Sequence, residues 1–425
     1  MDLKAQIEDF GRRARAAARV LARTSAEQKN RGLLAMADEI VNASGPILEA
    51  NAKDLANAAA HGLAKPMVER LTLNTNRLEA MANGIREVAA LPDPVGETIK
   101  DWTRPNGLRI SKVRVPIGVV GIIYESRPNV TSDAAVLCTK TGNATILRGG
   151  SESIHSNVAI AAALSRGGAK AGLPEDAVLL IPTTDREAVK HLCAMDKYLD
   201  VIVPRGGKGL IETVVSHARM PVIKHYDGIC IIYVDREADL AMAERIVINA
   251  KCQRPGVCNA IETVLVHRDA AAEFFATTGR ALLGQGVQLR GDERALALAA
   301  PLGVAGARIV GATPEDFRTE FLDLILAVRV VDSLDEAIDH IELHGSHHSD
   351  GIVTRNEATA ERFLAEVDSA TVYWNASTRF TDGGEFGFGA EIGISTDKLH
   401  ARGPMALEEL TTYKYLLRGT GQIRS

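Results

Sequence analysis

The stretch that decides the fold is Ile117-Gly-Val-Val-Gly-Ile-Ile-Tyr124, a short and nearly continuous apolar run. Such a run is typical of a strand covered on both faces, as strands are in a parallel sheet. Further apolar runs follow at 145–147, 177–182, 200–204 and 229–235. Helical patterns separate these runs, at 153–171, 185–194 and 207–217. The alternation of strand and helix predicts a doubly wound α/β domain.

The rest of the chain repeats and frames this pattern. A second α/β unit is predicted to begin near Tyr226, with later strands at 261–267, 324–331, 351–354 and 371–375. Its helices are predicted at 239–250, 270–283, 334–343 and 358–367. Residues 1–95 carry apolar residues at helical spacing and predict a helical scaffold. Weak alternation over 102–115 predicts a hairpin outside the main core, and the strand-like tail 411–417 is expected to return to a sheet edge.

Composition excludes several classes of function. The 425 residues are 46% hydrophobic and 24% charged, as in ordinary soluble globular proteins of two or three domains. A net charge of −5 gives no electrostatic reason to expect nucleic acid or an acidic membrane as a partner. The five cysteines form no paired framework, which favours a reducing, cytoplasmic compartment. We expect no signal peptide, and no apolar run approaches the roughly 20 residues of a membrane helix.

One cysteine stands in a setting suited to chemistry. Cys258 lies in Gln253-Arg-Pro-Gly-Val-Cys-Asn-Ala260, a Pro-Gly turn between a predicted helix and a predicted strand. A thiolate is the strongest side-chain nucleophile near neutral pH, and the charge of Arg254 favours the thiolate. The alternative is a small buried apolar residue, which is the more common fate of a cysteine.

Two other features suit the binding of anions. Glycine-rich turns follow predicted strands at 148–152 and 204–209, where backbone N–H groups and a helix N-terminus favour phosphate. There is no Gly-x-Gly-x-x-Gly fingerprint, and ordinary loop glycines are the alternative. The segment Trp374-Asn-Ala-Ser-Thr-Arg-Phe380, followed by a glycine-rich loop, suggests a carboxylate-binding rim, with a long surface loop as the alternative.

Asn129 and a group of histidines are further candidates. The Asn129 amide can donate to an oxyanion, although a turn residue after proline is the alternative. His340 and His344 have the i, i+4 spacing of some zinc sites, and His347 and His348 follow them. No third ligand stands at a recognisable spacing, so hydrogen-bonded or solvated histidines are favoured and no metal is predicted.

Longer motifs carry a resemblance to a known family. They are Tyr124-Glu-Ser-Arg-Pro-Asn-Val130, Ile146-Leu-Arg-Gly-Gly150, Val203-Pro-Arg-Gly-Gly207, Gln253-Arg-Pro-Gly-Val-Cys-Asn259, Asn375-Ala-Ser-Thr-Arg-Phe380, Gly389-Ala-Glu-Ile-Gly-Ile-Ser-Thr396, His400-Ala-Arg-Gly-Pro-Met405 and Gly421-Gln-Ile-Arg424. Together they resemble the glutamate-5-semialdehyde dehydrogenases, also called gamma-glutamyl phosphate reductases, of the aldehyde dehydrogenase superfamily. They span nearly the whole chain beyond the N-terminal helices, and as a set they are highly specific.

The resemblance implies an aldehyde dehydrogenase-like α/β fold of two doubly wound domains and a small oligomerisation β-flap. An NADP-binding domain would span 1–225, with the oligomerisation hairpin 100–115 inserted in it. A catalytic domain would span 226–397. The segment 398–425 would return to the cofactor domain and the flap. Cys258 would be the nucleophile, and Asn129 would face the oxyanion. The implied NADP contacts are Arg148, Gly149, Ser151, Arg205, Gly206, Gly207 and Glu320. Charge, matched motifs and the glycine-rich setting suggest as substrate-binding residues Arg254, Ser377, Thr378, Arg379 and Arg402.

The implied activity is NADPH-dependent reduction of L-glutamate 5-phosphate to L-glutamate 5-semialdehyde, the second step of proline biosynthesis from glutamate. A Cys258 thioester would form and phosphate would be released. The implied partners are further copies of the chain, in a homodimer or homotetramer, and the upstream glutamate 5-kinase. Two alternatives stay open, a CoA-acylating aldehyde dehydrogenase and a non-catalytic oligomeric or metal-binding protein.

One departure from hydrolytic aldehyde dehydrogenases supports release to phosphate. Those enzymes carry Glu-Leu-Gly-Gly-Lys before the strand that leads to the nucleophile, and the glutamate activates water. Here the comparable stretch is His225-Tyr-Asp-Gly-Ile229, in which Asp227 is close to the glutamate's place and no carboxylate stands at it. An acyl-enzyme released to phosphate has no use for a water-activating base, while a role for His225 stays open.

Overall fold

The computed structural model describes residues 2–125, 127–306 and 308–424, so Ser126 of the motif at 124–130 lies outside the described residues. The chain forms two compact units. Unit 1 contains the residues up to Lys224, Gly387–Gly393 and the residues from Met405 onward. Unit 2 contains His225–Phe386 and Ile394–Pro404.

Unit 1 opens with the predicted helical scaffold. Its helices are α1 Leu3–Leu21, α2 Ala26–Asn42, α3 Ser44–Ala60, α4 Lys65–Leu71 and α5 Thr75–Ala90. Three of them begin at a residue whose side chain accepts a hydrogen bond from the backbone N–H three positions on, namely Asp2, Ser25 and Asn74. Such caps satisfy N–H groups that have no partner in the first helical turn, and each contributes typically about 1 kcal/mol.

A four-stranded parallel sheet forms the core of unit 1. The elements after α5 are β1 Thr98–Thr103, β2 Arg109–Pro116, β3 Val119–Tyr124, α6 Asn129–Lys140, β4 Ala144–Arg148, α7 Ile154–Lys170, β5 Val178–Leu180, α8 Glu187–Cys193, β6 Val201–Arg205 and α9 Lys208–His217. The sheet order is β5-β4-β3-β6, and every residue of β3 is buried, as its apolar run predicts. The strand order reverses beside β3, where Tyr124 is paired with Arg205 at the carboxyl ends of β3 and β6. Open α/β sheets bind ligands at such a point.

Unit 2 is built on a seven-stranded parallel sheet. Its elements are β7 Cys230–Val234, α10 Leu240–Cys252, β8 Ile261–His267, α11 Arg268–Phe274, α12 Arg280–Gly284, β9 Gln288–Gly291, α13 Glu293–Ala299, β10 Ile309–Gly311, β11 Ile325–Val331, α14 Leu334–His344, β12 Ser349–Val353, α15 Glu357–Glu366 and β13 Thr371–Trp374. The strand order is β10-β9-β11-β8-β7-β12-β13. The structure therefore confirms two α/β sheets and the strands predicted for them.

Some elements of unit 2 differ from the sequence prediction. Strands β9 and β10 were not predicted, because they are only four and three residues long and too short for a periodic pattern. The seven-residue helix α13 between them was not predicted either. The single helix predicted over 270–283 is interrupted by a π-helical turn at Phe275–Gly279, which separates α11 from α12. The central strands of the sheet are as predicted.

The remaining elements are β14 Gly393–Ser395, β15 Gly403–Met405 and β16 Thr411–Arg418. Within unit 1, β16 pairs antiparallel with β2, which gives a three-stranded sheet of order β1-β2-β16. Tyr413, Tyr415 and Leu417 alternate along β16 and are about half exposed. Among the described residues, none of the helices combines the length and apolar character needed to cross a membrane.

Candidate active site

Cys258 lies at the amino edge of the seven-stranded sheet. Its turn connects α10 to β8, and the neighbouring strands β7 and β12 begin within two residues of Gly228 and His348. Because the amino ends of parallel strands meet at one edge, three residues that are distant in sequence become neighbours. The amino edge is the opposite of the one at which α/β sheets usually bind ligands.

The backbone of Cys258 is held tightly by the start of β7. A Cβ atom on Gly228 would lie 2.2 Å from the Cys258 carbonyl oxygen, so the close approach requires glycine at that position. The Gly228 N–H donates to Glu320 Oε1 at 3.0 Å, and the Cys230 thiol donates to the Cys258 carbonyl at 3.2 Å. Glu320, predicted to contact the cofactor, is thus bonded to the residue that packs on the cysteine.

The other four thiols are poor nucleophiles. Burial raises the pKa of Cys138 and of Cys193 to about 12. Burial also raises the pKa of Cys230 well above its ordinary value, and it raises that of Cys252. Cys258 is half-buried and sits on the predicted turn. The distribution of burial therefore favours Cys258 as the reactive thiol.

Two histidines stand beside Cys258. One ring nitrogen of His225, one of His348 and the Cys258 Sγ all lie within 4.8 Å of one another. His348 is fully buried, and burial, followed by the charge of His225, holds its pKa well below the usual range. Sequence reasoning placed His348 in a histidine run and left the role of His225 open. The grouping depends on the strand order β8-β7-β12, for which the sequence carries no local signal.

The loop after β13 is bonded to the cysteine turn. The Asn259 amide donates to the Thr381 carbonyl at 2.9 Å, and the Thr378 hydroxyl donates to the Asn259 carbonyl at 2.7 Å. The Arg379 guanidinium donates to the side chains of Asn259 and Gln253. Two stretches that matched the family separately, 253–259 and 375–380, therefore form one structure around Cys258.

Arg254 and Arg379 give this structure its positive charge. Burial, followed by the charge of Arg254, lowers the pKa of Arg379, which also interacts electrostatically with Cys258. The Ser377 hydroxyl accepts from the Arg379 N–H, and Ser377 and Thr378 are both buried. Those two hydroxyls hold the loop, whereas the two guanidiniums are suited to an anion.

Arg402 has a carboxylate partner of its own. Its Nη1 lies 2.7 Å from Asp368 Oδ1, and its Nη2 donates to the Asp368 carbonyl at 2.7 Å. Lys398, followed by Arg402, lowers the pKa of Asp368 to about 2. This pairing reduces the charge that Arg402 offers to a substrate, so its assignment as a substrate ligand stays a prediction.

A buried ion pair supports the strand that follows the cysteine. Lys251 Nζ lies 2.6 Å from Glu262 Oε2, and both side chains are fully buried. The other oxygen of Glu262 accepts from the Leu322 N–H at 3.3 Å. Burial raises the pKa of Glu262, and the charge of Lys251 opposes the shift. The pair links the end of α10, β8 and the segment that carries Glu320.

Replacing Lys251 with methionine should destabilise unit 2 strongly, because it leaves a buried carboxylate without its cation. Breaking such a pair costs about 3–5 kcal/mol. The loss should be larger at pH 8 than at pH 6. A carboxyl with a raised folded pKa contributes stability that is present below its unfolded pKa, about 4.3, and is lost as pH rises through the folded value.

Urea unfolding followed by the fluorescence of Trp374, which lies in the same unit, measures this effect. The control is the double variant Lys251→Met/Glu262→Met, in which no unpaired charge remains and much of the loss should be recovered. A single variant as stable as the wild type at pH 8 would contradict the prediction.

The predicted cofactor residues other than Glu320 lie at or just after the carboxyl ends of strands in unit 1. Arg148, at the end of β4, is 8% exposed, and its guanidinium donates to the carbonyls of Gly149 and Thr184 at 3.1 and 3.4 Å. Its Nε has no partner among the described residues, and burial lowers its pKa. Ser151 is exposed in a short 3₁₀ turn that follows. A buried, incompletely satisfied guanidinium is suited to an anionic group of a ligand.

The glycine turn before α9 carries an acid that was not predicted to take part. Glu125 Oε2 accepts from the Gly207 N–H at 3.0 Å, at the N-terminus of α9. A Cβ on Gly206 would lie 2.4 Å from the same oxygen. Arg205 ends β6 and packs on Gly393. An N-terminus that already holds a carboxylate is suited to negative charge, and a bound phosphate would replace that carboxylate.

Asn129 is the first residue of α6 and is exposed. Its amide donates to Asp133 Oδ2 at 2.9 Å. Burial raises the pKa of Asp133 to about 6, and the Asn129 hydrogen bond opposes the shift. The contact orients the amide.

The helical histidines His340 and His344, at which no metal was predicted, lie beside an arginine. The His340 and His344 rings lie 4.5 Å apart, but His340 Nδ1 is 3.0 Å from Arg329 Nη1, and burial lowers the pKa of His340 to about 3. Within the described ranges, the group of three potential ligands that are close enough to share a metal is His225, Cys258 and His348.

Known proteins are similar to this chain in sequence and in fold. Residues 2–304 match the model of the aldehyde dehydrogenase family. The gamma-glutamyl phosphate reductase of Moorella thermoacetica is 57% identical to this chain, and the alignment covers 100% of both chains. That of Opitutus terrae is 56% identical, over 100% of this chain and 99% of the relative. The crystal structure of gamma-glutamyl phosphate reductase from Thermotoga maritima has a TM-score of 0.95 at 45% identity, over 99% of this chain and 100% of that one. The chain therefore belongs to the aldehyde dehydrogenase family and, within it, to the gamma-glutamyl phosphate reductases.

Proposed function

We propose that this chain reduces L-glutamate 5-phosphate to L-glutamate 5-semialdehyde, a step of proline biosynthesis, through a thioester on Cys258. The observation that carries the proposal is the joined structure of the cysteine turn and the 377–381 loop. Arg254 belongs to the cysteine turn, and Arg379 interacts electrostatically with both Arg254 and the half-buried Cys258. Relatives with this name are 52–57% identical over nearly the full chain.

The residues divide the reaction between them. The Cys258 thiolate attacks the carbonyl carbon of the acyl phosphate, the bond from that carbon to the phosphate oxygen breaks, and phosphate leaves with the electron pair. Arg254 and Arg379 hold the departing anion. The Cys258 backbone stabilises the oxyanion, a role that the family resemblance also gives to Asn129, and such donors are worth about 3–4 kcal/mol each. When bound, NADPH supplies the hydride for reduction. Collapse of the thiohemiacetal then returns the thiolate and releases the aldehyde.

The test is a forward assay with glutamate 5-phosphate made in place by a glutamate kinase and ATP, following the loss of NADPH absorbance. Oxidation of NADPH that depends on the kinase would support the proposal. Activity with an acyl-CoA and none with the acyl phosphate would favour the CoA-acylating alternative. The acetylating aldehyde dehydrogenase of Geobacillus thermoglucosidasius is 18% identical with a TM-score of 0.69, a likeness that shows the fold alone.

A nicotinamide cofactor follows from the family, and we propose that it is NADP. Arg148 and Ser151 would receive the 2′-phosphate of the adenosine ribose, beside Gly149, where a Cβ would lie 2.1 Å from Asn157 Nδ2. The pyrophosphate would be held at the start of α9 by Arg205, Gly206 and Gly207. Glu320 would bind the nicotinamide ribose. The buried Nε of Arg148, which has no partner among the described residues, supports an anionic ligand at that end of the sheet.

We expect kcat/KM to be higher with NADP than with NAD. Arg148→Ala should lower the ratio of the two kcat/KM values by about 10–100-fold, which corresponds to the loss of a hydrogen bond to a charged group. The proximity of Glu152 to Arg148 works against the preference, because it repels a phosphate. Steady-state kinetics with both cofactors give the ratio. Arg166→Ala, which removes an exposed arginine paired with Glu39, is the control and should leave the ratio unchanged. Equal efficiencies with the two cofactors in the wild type would overturn the preference.

We also propose a homodimer or homotetramer in the cytoplasm. The exposed apolar side of β16 and its position at one edge of the three-stranded sheet support pairing with a second copy. We further propose that glutamate 5-kinase associates with this chain, because the kinase would then deliver its acyl phosphate product directly.

A further inference from the structure

We propose that His225, Cys258 and His348 form a zinc site that captures the nucleophilic thiolate and reversibly inhibits the enzyme. The three ligand atoms lie within 4.8 Å of one another. Two imidazoles and a thiolate are a ligand set that Zn²⁺ prefers, with a water molecule completing a tetrahedron. Ligand atoms in such a site are roughly 3.5 Å apart, given Zn–S and Zn–N bonds of about 2.3 and 2.1 Å. Side-chain shifts of about 1 Å would therefore close the site around the ion.

One ring nitrogen of each histidine already has a hydrogen-bond partner. His225 Nδ1 lies 2.9 Å from the Ile394 carbonyl oxygen, which can only accept, so this nitrogen carries the proton of the neutral ring. His348 Nδ1 lies 2.8 Å from the Ser349 hydroxyl. Metal-binding histidines usually have this arrangement, because a hydrogen bond at one nitrogen fixes the tautomer and orients the lone pair of the other.

A second observation points to a ligand. His348 is fully buried, and its Nε2 has no hydrogen-bond partner among the described residues. A buried ring nitrogen without a partner loses the hydrogen bond it would have in water, which costs about 1–3 kcal/mol. Coordination of a metal ion would satisfy it.

The surrounding hydroxyls fix the position of His348. Ser349 Oγ lies 2.7 Å from the hydroxyls of both Thr371 and Thr381, and the Tyr373 hydroxyl lies 2.7 Å from that of Thr381. This network holds the His348 ring from the side away from its Nε2. The ligand is thus preorganised, which lowers the ordering cost of binding an ion.

Binding would displace the thiol proton of Cys258 and place a Zn–S bond on the sulfur that attacks the substrate. Loss of activity rests on the proposed function, because it requires Cys258 to be the nucleophile, but metal binding does not. The test therefore reads binding and turnover separately on the full-length protein.

Metal-free wild type is titrated with Zn²⁺ against a chromophoric chelator, and with Co²⁺ to detect the absorption of a cobalt–thiolate bond. We expect one ion per chain, a cobalt–thiolate band, and inhibition that excess chelator reverses. His348→Ala should weaken zinc binding by about 100-fold or more. Removing a residue that only supports a metal ligand already costs about 10–100-fold, and His348 would itself be a ligand. His347→Ala is the matched control, because its Nδ1 contacts the Asp368 carbonyl at 3.0 Å, and it should bind as the wild type does.

If His348→Ala does not fold, His225→Ala takes its place, since His225 is only half-buried and the same loss of binding is expected. Absence of stoichiometric zinc at micromolar concentration would overturn the proposal, as would a cobalt spectrum without the thiolate band or unchanged affinity in the histidine variant. Zinc binding by a protein inactive with glutamate 5-phosphate would leave the site standing and refute the proposed function. Full activity of an enzyme that fails to bind zinc when the ion is added would refute the site and leave the proposed function standing.

Discussion

Cys258→Ala is expected to lower kcat by about 10³-fold or more, because the variant loses the nucleophile that forms the covalent intermediate. Cofactor binding and folding should change little. Cys258 is half-buried, and removing one sulfur from a half-exposed turn creates no closed cavity. Steady-state turnover, NADPH binding by fluorescence and thermal unfolding together separate a chemical loss from a structural one.

The matched control is Cys252→Ala. Cys252 is also half-buried, and it lies six positions earlier, at the end of α10, where burial raises its pKa. It should retain turnover close to that of the wild type. A Cys258→Ala enzyme with wild-type turnover, or equal losses in the two variants, would show that the nucleophile has been assigned wrongly.

In the oxidative direction, phosphate should be an obligatory co-substrate. The segment that supplies a water-activating glutamate in hydrolytic relatives reads His225-Tyr-Asp-Gly here. Without a positioned base, water attacks a thioester slowly, since general-base help is typically worth about 10²–10⁴-fold. Phosphate is already anionic at neutral pH, and Arg379, which interacts electrostatically with both Arg254 and Cys258, would receive it.

The experiment follows NADPH formation from glutamate semialdehyde and NADP in phosphate-free buffer. The rate should rise from near zero as phosphate is added and then saturate, and arsenate should replace phosphate. Sulfate at the same ionic strength, which cannot form the acyl phosphate, is the control and should support no turnover. Sustained turnover to free glutamate without phosphate or arsenate would show that His225 or Asp227 activates water, as in an ordinary hydrolytic aldehyde dehydrogenase.

The central strands of both sheets could be predicted from sequence because they are buried on both faces. Strand β3, within the run at 117–124, and strand β8 are fully buried, and their apolar character shows this directly. Strands β9 and β10 lie at one edge, and β10 is partly exposed over three residues, so neither carries a comparable signal. Strands that are long and buried could therefore be predicted from the sequence, because only they carry a continuous apolar pattern.

The sequence motifs named candidate site residues, whereas the contacts among these residues could not be predicted. The motif at 253–259 identified Cys258, and the motif at 375–380 identified Arg379, but the bonds through Asn259 that join them depend on the fold. The charge of Arg402 suggested a ligand, whereas its partner Asp368 is 34 positions away and could not be inferred. His348 became a neighbour of Cys258 through strand order alone.

The central claim, a glutamyl thioester on Cys258 that is released to phosphate, is tested most directly by the mass of the intact protein. The enzyme is incubated with glutamate semialdehyde and NADP without phosphate, quenched in acid, and digested to locate the adduct. We predict one added glutamyl group per chain, on the peptide containing Cys258, which disappears when phosphate is added before the quench. An unmodified protein that nevertheless turns over, or an adduct on another residue, would contradict the account.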